Sequence, residues 1–172
     1  MNKSKKIYKP DSTRLKLWDY TNPWWYYVTI CTKNHKECFG EIVGSKMKLN
    51  NLGQLANEYW LNIPSHYPEV ELDDFIIMPN HVHGIIILKL LSIVETGHAP
   101  SLHSLGNIVG SFKSGVSKWA HQNGLKDFQW QQRFYDRIIR NEKELFQIRK
   151  YISQNPLRWE IEKGFPDNID IS

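Results

Sequence analysis

The stretch FIIMPNHVHGIIIL, Phe75 to Leu88, places His81 and His83 one residue apart inside a run of branched apolar residues. Side chains alternate across a β-strand, so both imidazoles project from one face, with Ile85 and Ile87 continuing it. A buried imidazole without a partner costs roughly 1–3 kcal/mol, so something polar is expected to meet the pair. Downstream, ELFQIRKYISQNP sets Gln147, Tyr151 and Asn155 four apart, on one side of a helix. Two imidazole nitrogens and one amide oxygen make a reasonable ligand set for Mg²⁺ or Mn²⁺, with positions left for phosphate oxygens. Tyr151 is then a nucleophile. A phenol with a pKa of about 10 attacks poorly alone, but a cation that polarises a phosphate makes attack feasible. An HxH pair alone is as readily structural as functional; the tyrosine helix beside it is what points to a site.

These residues need a scaffold that brings a strand face and a helix face together. WWYYVTICT, Trp24 to Thr32, is rich in aromatic and β-branched residues and reads as a strand. Glu41–Val43 and Lys46–Leu49 around Gly44-Ser45 read as a hairpin. Asn51 is expected to cap a helix running to about Ile63 and closed by Pro64. Leu72–Met78 and His81–Leu88 read as two strands joined tightly at Pro79-Asn80. A polar loop spans about 91 to 104. Leu105–Gln122 reads as a second helix ended by Gly124. Arg133–Ile139 reads as a strand, and Asn141 as the cap of a third helix, Glu142 to about Gln154, stopping before Pro156. The order strand, helix, strand, strand, helix, strand, plus one helix, is the split βαβ pattern of an α+β, ferredoxin-like fold. It predicts a four-stranded antiparallel sheet with the His81 strand central, two helices on one face, and the extra C-terminal helix carrying Tyr151 on the other.

The 172 residues fit one domain, 1–172, with residues 1–20 as a basic N-terminal arm: Lys3, Lys5, Lys6, Lys9, Arg14 and Lys16 face only Asp11 before Asp19. An apolar share of 41% and a charged share of 23% fit a globular protein, and no apolar run approaches the ~18 residues of a membrane helix. With no secretory pattern at the N-terminus, the expected location is the cytoplasm. Cys31 and Cys38 form no CxxC pair and are expected to be reduced and structural. The net charge of +4 is mild evidence for a polyanionic partner. Arg133, Arg137, Arg140, Arg149, Lys150 and Arg158 interleave with Trp130, Phe134, Tyr135, Tyr151 and Trp159, a composition suited to phosphate contact and base stacking. A solvated face with inward aromatics would read the same way. Arg133, Arg137, Arg140, Lys113 and Lys118 are the expected DNA contacts.

FIIMPNHVHGIII and WQQRFYDRIIRNEKELFQIRKYISQNPLRWE resemble the IS200-like single-tyrosine transposases of the HUH class, most closely the REP-associated tyrosine transposases. The resemblance covers nearly the whole chain, from YYVTICTKN and FGEIV to NPLRW. It implies a ferredoxin-like nuclease that cuts single-stranded or hairpin DNA through a covalent 5′-phosphotyrosine and rejoins strands. It places His81 and His83 in the HUH pair around Val82, and Tyr151 at the nucleophile position. Asn155 falls where relatives carry a third polar metal ligand, often glutamine. A monomer or a homodimer is compatible with it. Tyr135, in RFYDR, is the rival nucleophile, and His35, His66, His98, His103 and His121 are read as solvent-facing. Two other classes share part of this pattern. A histidine-triad nucleotide hydrolase needs a further histidine where Ile85 stands. A non-catalytic nucleic-acid-binding module on the same fold would not need His81, His83 and Tyr151 together.

Overall fold

The computed structural model describes residues 18–90 and 103–162. The basic arm residues Lys3 to Lys16, and the polar loop up to residue 102 with His98, lie outside the described residues. Strands β1 (Trp25–Cys31), β2 (Gly40–Val43), β3 (Lys46–Leu49), β4 (Val70–Ile77), β5 (His81–Leu88) and β6 (Tyr135–Ile138) alternate with helices α1 (Asn51–Leu61), α2 (Ile63–His66), α3 (Leu105–Gln122) and α4 (Glu142–Glu162). Four strands form one antiparallel sheet in the order β4-β5-β1-β6, and β2 and β3 form the hairpin expected around Gly44-Ser45. The α+β, ferredoxin-like expectation holds, with β5 and β1 central. A central strand covered on both faces can be apolar throughout, and all eight residues of β5 are buried.

Alternation along β1 and β5 divides the core in two. Tyr26, Val28 and Ile30, with Val82 and Ile86, pack against Ala56 and Trp60 of α1 and Ile108, Phe112 and Val116 of α3. Tyr27, Ile85 and Ile87 pack on the opposite face against Leu145, Ile148 and Ile152 of α4. Cross-strand pairing sets Thr29 opposite His83 and Cys31 opposite His81, so Tyr27, Thr29 and Cys31 share the histidines' face. Gly84, next after His83 and facing α1, is required by close approach: a Cβ there would lie 2.3 Å from Cζ2 of Trp60.

Several boundaries differ from expectation: β4 is Val70–Ile77, and α1 ends at Leu61 with Pro64 inside α2. The α1 cap is Asn50, not Asn51: Asn50 has extended backbone and its side chain accepts from the Gly53 amide at 2.9 Å. The β6 ladder is shorter than Arg133–Ile139. Most consequentially, α4 does not stop before Pro156 but runs through it to Glu162. Proline removes one intrahelical N–H, a local cost. Contacts beyond it offset that cost: Glu160 accepts from the Ser45 amide at 3.0 Å and from its hydroxyl at 2.6 Å, and the Trp159 ring lies 5.9 Å from that of His81. Among the described residues both cysteines are free, as expected.

Candidate active site

His81 and His83 are fully buried, and their ring centroids lie 4.4 Å apart. Each has its Nδ1 held from within the protein. Nδ1 of His81 lies 2.6 Å from Oδ1 of Asn80, whose amide nitrogen donates to the His35 carbonyl at 3.0 Å. That second bond orients the Asn80 amide, so Oδ1 is an acceptor, Nδ1 of His81 carries the proton, and Nε2 keeps its lone pair. Nδ1 of His83 meets the Tyr27 hydroxyl at 2.7 Å and the Thr29 hydroxyl at 3.0 Å, either of which can accept its proton. Both Nε2 atoms are buried and complete no hydrogen bond. A buried polar atom so left calls for a partner, an ordered water or a bound ion among the possibilities.

Burial also keeps both rings neutral. It pulls His81 down to about 3, Asn155 working against the shift and His35 adding to it. Burial likewise holds His83 well below the ordinary imidazole value, helped by the neighbouring His81 and Arg158. Neutral imidazoles with inward lone pairs suit a cation.

Helix α4 closes the site from the other side. Tyr151 is 7% exposed and its ring centroid lies 5.2 Å from that of His83, the planes nearly perpendicular. One turn on, buried Asn155 bears on His81 closely enough to favour its proton, although it completes no hydrogen bond with Nε2. Arg158 stacks over the Tyr151 ring at 4.8 Å from its centroid. The described residues contain no group of three His, Cys, Asp or Glu side chains able to hold a metal ion. A third donor would therefore be the Asn155 amide oxygen, and two orphaned imidazole nitrogens plus that oxygen fit a divalent cation.

The structure thus brings His81, His83, Tyr151 and Asn155 together, as their spacing anticipated. It also adds residues that sequence reasoning passed over. Tyr27 and Thr29 were traceable only through strand register. Arg158 and Trp159 follow Tyr151 by seven and eight residues, a helical signal masked by reading Pro156 as a stop. His35 is half-buried with a left-handed backbone (φ 53°), not solvent-facing. His103 likewise bonds Glu69 at 2.8 Å, and exposed His121 bonds the Phe128 carbonyl at 2.9 Å. Tyr135 is half-buried, its ring 6.4 Å from that of Tyr27.

Two of the expected DNA contacts are engaged elsewhere. The Lys113 ammonium donates to the carbonyls of Gln131 and Gln132 at 2.8 and 3.2 Å, and Arg137 pairs with buried Glu144 at 2.6 Å. A chain reversal and a helix start needed those cations, which local charge counting cannot reveal. Lys118, Arg133 and Arg140 are exposed. A cleft of about 780 Å³, lined by Lys36, Asn50, Trp119 and Lys126 among others, contains none of the candidate residues.

No family model matches the chain. A solved structure of a REP-associated tyrosine transposase bound to a REP hairpin superposes with a TM-score of 0.56 at 18% identity, covering 90% of this chain and 91% of that one. The chain therefore has the fold of the IS200-like, REP-associated single-tyrosine transposases. A protein of Haemophilus influenzae (strain ATCC 51907 / DSM 11121 / KW20 / Rd), described as uncharacterized, is 39% identical over 173 residues, 94% of this chain and 96% of its own length, and the chain belongs to that protein's family. A chain from Deinococcus radiodurans R1 superposes at a TM-score of 0.47 with 15% identity, which carries no weight.

Proposed function

We propose that the chain is a metal-dependent, single-strand-specific DNA endonuclease and strand transferase, a transposase acting in DNA transposition or in processing of repeated palindromic elements. One observation carries the reading: two buried imidazole nitrogens without partners converge with Tyr151 and Asn155 on one spot. His81, His83 and Asn155 would hold Mg²⁺ or Mn²⁺, which when bound would supply charge stabilisation at a phosphate. Asn80 orients His81, and Tyr27 with Thr29 orients His83, so the donors need no rearrangement. Tyr151, its ring edge-to-face with that of His83, would supply the attacking hydroxyl. Its oxygen attacks the phosphorus, the bond to the 3′ oxygen breaks, and a 5′-phosphotyrosine forms. The phenolic proton leaves to solvent and the freed 3′ oxygen takes one up. Because the phosphodiester is exchanged rather than hydrolysed, rejoining needs no nucleotide cofactor.

Hairpin DNA with a single-stranded flank is the substrate we infer, since the solved relative of this fold was bound to a REP hairpin. No described helix is long and apolar enough to cross a membrane, and we place the protein with DNA in the cytoplasm. Incubated with such a hairpin and Mn²⁺, the protein should yield a denaturant-resistant adduct that peptide mapping assigns to Tyr151. Tyr151→Phe should bind DNA and metal yet form none. Mapping to Tyr135 would move the nucleophile; cleavage without any adduct would sink the mechanism, and metal-indifferent binding without cleavage would favour a binding module.

A further inference from the structure

The segment of α4 beyond Pro156 brings to the site a cation that the histidine pair and the tyrosine do not explain. Arg158 lies seven residues, two helical turns, after Tyr151 and on the same face. Its guanidinium carbon is 4.8 Å from the Tyr151 ring centroid, and its charge acts on His83. It is half-buried, so part of it faces the solvent from which a substrate arrives. A fixed cation beside a pair of imidazoles suited to a second cation is unfavourable by itself, because like charges in a poorly solvated place repel. An anion shared between them turns that repulsion into attraction.

Resting on the phosphotyrosine reading above, we propose that Arg158 is a further catalytic residue, donating N–H groups to a nonbridging oxygen of the scissile phosphate. With Cζ 4.8 Å from the Tyr151 ring centroid, the planar guanidinium can hold the ring through its face and reach a phosphate through its N–H edges. As the Tyr151 oxygen closes on phosphorus and the 3′ oxygen departs, charge accumulates on the nonbridging oxygens. A donor aimed there binds the transition state more tightly than the bound substrate and raises the rate at saturating DNA more than the affinity.

The test is single-turnover adduct formation with a hairpin oligonucleotide and Mn²⁺ at saturating DNA. Arg158→Ala should slow it by about 10²–10³-fold while leaving the Kd for DNA within a few-fold. Arg158→Lys, a point charge without the planar fork, should fall between, and added guanidinium ion should restore part of the Arg158→Ala rate but none of Tyr151→Phe. A wild-type rate in Arg158→Ala overturns the inference, as does a loss appearing wholly in Kd. So does a loss that neither lysine nor guanidinium reverses, which would mark Arg158 as packing for Tyr151. Absence of an adduct in the wild type would instead refute the phosphotyrosine reading itself.

Discussion

Asn80 decides which nitrogen His81 presents. Its amide oxygen receives the Nδ1 proton only because its nitrogen is committed to the His35 carbonyl. Asn80→Ala should remove that constraint, lowering Mn²⁺ affinity about 10–100-fold by titration calorimetry and folding stability by roughly 1–3 kcal/mol. Unchanged Mn²⁺ affinity would show that the tautomer is set otherwise. The imidazoles also predict acid sensitivity. Burial lowers the folded-state values, His81 to about 3, while unfolded imidazoles titrate near 6.5. This stability is therefore present above about pH 6.5 and is lost as pH falls, because the unfolded chain takes up protons that the folded chain refuses. In EDTA, urea unfolding should show a slope of about 1.4 kcal/mol per pH unit for each imidazole between pH 6 and 4, absent from a His81→Gln, His83→Gln double variant.

At the scale of elements, the site depends on how α4 is laid across the sheet. The β4–β5 register shifts between Leu72 and Phe75, freeing Asp73 from regular pairing, and bulges of this kind re-aim side chains. Asp73 takes two bonds from Arg149, at 2.8 Å from Nε and 2.5 Å from Nη2, two residues before Tyr151. Arg149 lowers the Asp73 carboxyl, against burial. A lowered carboxylate contributes stability above its unfolded value, near 3.8, and loses it as pH falls through the folded value. Asp73→Asn should thus cost up to about 1 kcal/mol at pH 7, the arginine being partly exposed, with the gap to wild type closing in strong acid. A gap that persists in acid would assign the loss to packing.

For the whole molecule, the open question is where a polyanion lies. Lys113 and Arg137 are engaged within the fold, so of the five cations expected to meet DNA, Arg133, Arg140 and Lys118 are the exposed ones, and we propose that they contact phosphates. Neutralising Arg133 or Arg140 should lower the slope of log affinity against log salt by up to ~0.7 for a single-stranded substrate, read by fluorescence anisotropy. Lys113→Ala should instead lower the melting temperature, because two carbonyls lose their donor. A Lys113→Ala slope change with unaltered melting would reverse that division.

Local periodicity was enough to read the order of strands and helices along the chain, the common face of His81 and His83, and the common face of Tyr151 and Asn155, since each depends only on repeats of 2.0 and 3.6 residues. Periodicity also anticipated that the two faces would meet, because the split βαβ order leaves one sheet face for α4. The rest was decided in three dimensions. Strand register brought Tyr27 and Thr29 to Nδ1 of His83, and the turn after β1 brought the His35 carbonyl to Asn80. Pro156 was misread because a proline's cost is local while the contacts of Glu160 and Trp159 that offset it join residues distant in the chain. The partners of Lys113 and Arg137 were out of reach for the same reason: charge is written in the sequence, but the group that engages it is chosen only when the chain folds back on itself.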